Sequence, residues 1–75
     1  MSGLPVLSGL ETIKALQRAG FVVVRQRGSH VRLKRLTGDK VMNITVPLHP
    51  QLKTGTLRHI VKDSGLKVDE FLALL

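Results

Sequence analysis

Gly28-Ser29-His30-Val31-Arg32-Leu33-Lys34-Arg35 is the stretch on which the fold turns. Its apolar residues alternate with polar and charged ones, the period of a half-buried β-strand. Successive side chains in a strand point to opposite faces. Val31 and Leu33 therefore point into a core, and His30, Arg32 and Lys34 share the other face. An imidazole among cations, on a face with no packing duty, is suited to handling a phosphodiester.

The neighbouring segments read as further strands. Phe21-Val22-Val23-Val24-Arg25 is aromatic and β-branched, and Gln26-Arg27-Gly28 reads as the turn that follows it. Residues 29–35 form the second strand, and Thr37-Gly38-Asp39 makes the next turn. In Val41-Met42-Asn43-Ile44-Thr45-Val46, Met42, Ile44 and Val46 face in while Asn43 and Thr45 face out. Pro47 ends this strand because it has no N–H for the ladder.

Helices flank the strands. Ser8-Gly9-Leu10-Glu11 has the capping-box pattern. Leu10, Ile13 and Leu16 then mark one stripe, and Gly20 supplies the stop, which predicts a helix over 9–19. After a loop carrying His49 and Pro50, Thr54 is a suitable N-cap for a second helix, with Leu57, Ile60, Val61 and Ser64 on one face and Gly65 as its stop. A short last helix carries Val68, Phe71, Leu72 and Leu75, with Asp69 and Glu70 favourably placed at its start. The expected architecture is α+β. An α-β-β-β-α order places a three-stranded antiparallel sheet under helices on one face, with a short extra C-terminal helix. Double-stranded RNA-binding domains have this layout.

Composition narrows the function classes. The 75 residues suffice for one small domain, expected to span 1–75. There is no cysteine, so disulfides, zinc–thiolate sites and thiol nucleophiles are excluded. A secreted chain this small usually needs such staples, which favours a cytoplasmic protein. Met1 to Leu7 is too short and too weakly apolar for a signal peptide. No run approaches the roughly 20 apolar residues that span a bilayer. Phe21 and Phe71 are the only aromatics, which disfavours base stacking as the binding mode. The net charge of +7 favours a polyanionic partner, and the cations cluster at Arg25, Arg27, Arg32, Lys34, Arg35 and Lys40.

Ordered across nearly the whole chain are Leu4-Pro5-Val6-Leu7-Ser8-Gly9, Ala19-Gly20-Phe21, Gly28-Ser29-His30, Val46-Pro47-Leu48-His49, Gly55-Thr56-Leu57 and Asp69-Glu70-Phe71. In this ordered set the chain resembles the HicA family of toxin ribonucleases from toxin–antitoxin pairs. The resemblance implies a double-stranded RNA-binding fold with one catalytic histidine on the second strand, which falls on His30. It further implies an endoribonuclease that cleaves mRNA, inhibits translation and is neutralised by a HicB-type antitoxin. One local departure is Lys67, where the family's last helix often opens with Ser or Thr.

The chemistry fits that implication. RNA carries its own nucleophile, the 2′-hydroxyl, so cleavage needs a base, a stabiliser of phosphate charge and a proton for the leaving oxygen. Histidine titrates near working pH and is the natural base. Arg32 or Lys34 can stabilise the developing charge. Arg25, Arg27, Gly28 and Ser29 adjoin His30 and are expected to guide the RNA backbone. Lys53 and Thr54 open the second helix, whose free N–H groups form a further phosphate cradle. His49 reads as a loop residue bonded locally, and His59 as a solvent-facing helix residue. The acids show no ligand spacing for a metal, and no cofactor is expected. Two other readings remain: a non-catalytic RNA-binding module with the same fold and charges, which needs no histidine, and an interaction subunit whose basic face docks an acidic partner.

Overall fold

Two tight hairpins, each with glycine at the first turn position, build the sheet. The computed structural model describes residues 3–75. Met1 and Ser2, which begin the stretch read above against a signal peptide, lie outside the described residues. The elements are α1 (Gly9–Arg18), β1 (Val22–Arg27), β2 (His30–Thr37), β3 (Lys40–Pro47), α2 (Thr54–Asp63) and α3 (Val68–Leu72). The strands lie in the order β1-β2-β3, all antiparallel. Gly28 (φ 58°) and Gly38 (φ 61°) each take the left-handed backbone that a two-residue hairpin loop demands at that position. The expected α-β-β-β-α order with its short last helix is what the chain adopts.

The core lies between one sheet face and the helices. Val31, Leu33, Ile44 and Val46 bury themselves against Ile13, Ala15 and Leu16 of α1, Leu57, Ile60 and Val61 of α2, and Phe71 of α3. Among the described residues nothing covers the opposite face of β2 and β3: His30, Arg32, Lys34, Asn43 and Thr45 are exposed. Both α1 and α2 rest on β3. β1 hangs at the far edge, exposed along its whole length.

Several local expectations need correction. β1 starts after Phe21 and runs on to Arg27, so the turn is Gly28-Ser29 and Ser29 lies outside β2. Phe21 is buried without belonging to the ladder. Leu10 is 54% exposed, because Thr12, Ile13, Ala15 and Leu16 already fill the buried stripe of α1. Leu75 is 49% exposed, since α3 has ended at Leu72 and the chain no longer keeps helical spacing. Thr54 is not the N-cap of α2: Lys53 holds the extended cap position, with no side-chain capping bond, and Thr54 is the first helical residue. At α3 the Lys67 side chain has no acceptor to offer, and the order comes from Glu70, whose carboxylate accepts the Lys67 N–H at 2.8 Å.

The capping box at α1 is formed. Ser8 N–H donates to Glu11 Oε1 at 2.9 Å and Glu11 N–H donates to Ser8 Oγ at 3.0 Å. Accepting that backbone N–H holds the Glu11 carboxyl below its usual range. The same helix end is fastened to the segment after β3. Gly9 N–H donates to the His49 carbonyl at 2.9 Å, and Leu52 N–H to the Leu7 carbonyl at 2.8 Å. Leu48 N–H donates to the Ser29 carbonyl at 2.6 Å, tying the first hairpin loop to the same segment.

The close approach of α1 to β3 depends on the absence of a side chain at residue 9. A Cβ there would run into the Pro47 carbonyl oxygen. Gly9→Ala should therefore destabilise the fold by about 1–3 kcal/mol despite alanine's better helix propensity. Urea denaturation measures it, and an unchanged midpoint would contradict the packing described.

Candidate nucleic-acid interface

The register of the two ladders sets out the open face in rows. Directly opposed residues in an antiparallel pair project to the same side. Arg27 lies opposite His30, which lies opposite Pro47. Two residues further along β2, Arg25 lies opposite Arg32, and Arg32 opposite Thr45. The next row joins Val22, Lys34 and Asn43, and the last joins Leu36 with Val41. The face is thus basic at the His30 end and apolar at the Leu36 end.

A β-bulge creates the basic end. The β1–β2 register shifts by one residue between Val23 and Arg25. Val22 opposes Lys34 on the open face and Val23 opposes Leu33 on the core face. Strict alternation from there would turn Arg25 and Arg27 towards the helices. The extra residue, Val24, resets the alternation, and both arginines come out beside His30. Bulges re-aim side chains in this way and recur next to active sites.

Arg25, Arg27, His30, Arg32 and Thr45 together line one open cavity on this face. Among the described residues the ion-pair contact is His59 with Asp63 on α2, at 3.3 Å, so none of these three arginines is neutralised by a carboxylate. The cavity contains no acidic side chain. Like charges directly opposed across strands are destabilising, and Arg25 faces Arg32 in that way. An anion bound between them would relieve the repulsion.

The remaining candidates are dispersed. Lys34 continues the cationic line but borders a second depression with Val22, Val24, Arg35 and Leu36. Gly28 and Ser29 form the loop beneath His30. Arg35 leaves the cluster, its guanidinium 6.0 Å from the Phe21 ring centroid, in a cation–π contact. Lys53 and Thr54 stand at the start of α2, outside the His30 cavity. His49 contributes its carbonyl to Gly9 while its side chain stays exposed. No group of three His, Asp or Glu among the described residues could hold a metal ion. No helix among them is long and apolar enough to cross a membrane. Thr45 faces the cavity as its outward position in the third strand implies, but its place beside Arg32 follows from the register.

The family model described as HicA toxin of bacterial toxin–antitoxin matches residues 9–66. No curated protein matches the chain.

Neutralising one member of the opposed arginine pair should affect stability and binding in opposite senses. Arg25→Thr is expected to raise stability by a few tenths of a kcal/mol at low salt, with the gain fading as salt screens the pair. It should also weaken polyanion binding and flatten its salt dependence. Paired thermal melts and RNA titrations at two salt concentrations test this. A loss of stability would mean that Arg25 has a structural partner.

Proposed function

The chain belongs to the HicA toxin family of bacterial toxin–antitoxin systems, and from that premise we propose that it is a metal-independent endoribonuclease that cleaves mRNA through His30. Cleavage of mRNA stops translation, and a cognate HicB-type antitoxin holds the enzyme inactive until it is lost. Residues 1–75 act as one domain in this reading. The observation that carries it is the setting of His30: a solvent-exposed imidazole in a cavity otherwise lined by one threonine and three arginines that pair with no carboxylate among the described residues.

The residues divide the work as follows. His30 removes the proton from a ribose 2′-hydroxyl. The freed oxygen attacks the adjacent phosphorus, so a 2′-O–P bond forms and the P–O5′ bond breaks. The products are a 2′,3′-cyclic phosphate and a 5′-hydroxyl, whose proton comes from solvent. Arg27 opposes His30, where it can stabilise charge gathering on the phosphate oxygens, and Arg32 follows on the same face along the path of the backbone. Arg25 and Lys34 extend the cationic line along which the RNA backbone lies, and Gly28 and Ser29 keep the loop below the imidazole small. Lys53 and Thr54 offer backbone contacts at the start of α2. A divalent cation would find no carboxylate in this cavity and three positive charges, which is why the chemistry is assigned to the histidine.

His30→Ala tests the reading. The variant should fold as the parent does, because residue 30 packs against nothing in the core, and should still bind RNA. Its cleavage rate should fall by at least about 100-fold, the scale of a lost general base. A chelator should leave the parent's activity unchanged. Equal cleavage by parent and variant would remove His30 from catalysis, and binding without cleavage by either would leave a non-catalytic RNA-binding module.

A further inference from the structure

We propose that Arg25, Arg32 and Thr45 form a separate phosphate subsite, which holds the phosphate next to the one at His30. This rests on the ribonuclease reading for the kind of ligand; its geometry comes from strand register alone. The subsite gives the protein a length requirement, since a substrate with one phosphodiester and no second phosphate cannot fill it.

Arg25, Arg32 and Thr45 stand side by side across all three strands, and the Arg27–His30 row lies two residues away along β2. Two residues of strand advance about 6.6 Å. That is wider than a single phosphate group and close to the separation of successive phosphates in an extended nucleic-acid strand. Each row therefore meets its own phosphate.

Past the His30 row the first hairpin closes at Gly28-Ser29 and β3 ends at Pro47, so the ladder supplies no further row there. In the other direction come Arg25 and Arg32, then Lys34, then the apolar Leu36 and Val41. Along the ladder, a strand bound at His30 extends over cations one way only, and the first row it meets is Arg25–Arg32–Thr45.

Two opposed guanidinium groups without a carboxylate are an anion clamp in waiting, because arginine matches phosphate through paired N–H donors. Among the described residues no side-chain hydrogen bond occupies Arg25, Arg32 or the Thr45 hydroxyl. The bulge at Val24, on a strand exposed along its length, turns Arg25 outward into this row.

Binding of 2′-deoxy dinucleotides tests the subsite without any cleavage, because they lack the nucleophile. NMR titration would compare d(ApA), which has one phosphate, with d(pApA) and d(ApAp), which have two. One of the two-phosphate ligands should bind about tenfold or more tightly than d(ApA), and which one does so reports the polarity of the strand. In Arg25→Gln most of that gain should vanish, and in Thr45→Val, which keeps the side-chain shape, part of it should. Lys14→Gln on α1 removes the same charge from the helical side and should preserve the gain. No gain from either second phosphate would overturn the subsite, as would a gain that survives Arg25→Gln or falls equally in Lys14→Gln. If the gain appears while the parent cleaves no RNA, the subsite stands and the catalytic reading falls.

Discussion

A three-stranded sheet has two faces, and among the described residues helices cover only one. The alternation within β2 enforces the division. Val31 and Leu33 are held in the core by α1, α2 and Phe71, so His30, Arg32 and Lys34 must stand outside it. A register slip of one residue would bury three polar groups, two of them permanent cations, and expose two of the core's central side chains. Hydrophobic burial on one side thus fixes the position of the chemistry on the other. β3 carries the same rule further, with Ile44 and Val46 inside and Thr45 between them outside.

Much of this was legible because it rests on local periodicity. The alternation in β2 and β3, the Ser8–Glu11 box and the glycine stops after α1 and α2 are all short-range signals. What escaped was set by tertiary geometry. Val22, Val23 and Val24 are uniformly β-branched, so nothing in that run marks one of them as the extra residue of a bulge. Leu10 fits the helical stripe by spacing, but Thr12, Ile13, Ala15 and Leu16 make up the buried face instead. Thr54 has the chemistry of a cap, yet the helix begins one residue earlier than that role requires. The candidate site divides in the same way. His30, Arg32 and Lys34 share a face by alternation alone, whereas Arg25 and Arg27 reach it only through the bulge. Arg35 shows the converse: adjacent in sequence to the basic cluster, it lies over Phe21 instead.

The open face is also where the fold accepts a cost. Among the described residues, Arg25 on the exposed edge strand and Arg32 on the central strand oppose each other without a counter-ion. A chain selected for stability alone would place opposite charges or a threonine pair there. Such local conflict between stability and arrangement is expected where a surface has been shaped for a ligand. The net charge of +7 adds a long-range attraction to any polyanion, and the cavity beside His30 concentrates it at one place.

The central claim is that RNA lies on the uncovered sheet face, with a phosphate at His30. Amide and side-chain NMR shifts on titration with a short oligonucleotide carrying 2′-deoxy sugars, which blocks cleavage, test it most directly. The account predicts that the resonances of His30, Arg32 and Thr45 move together, while those of the outer surfaces of α1 and α2 stay in place. Shifts confined to the helices, with the His30 ring unmoved, would contradict it.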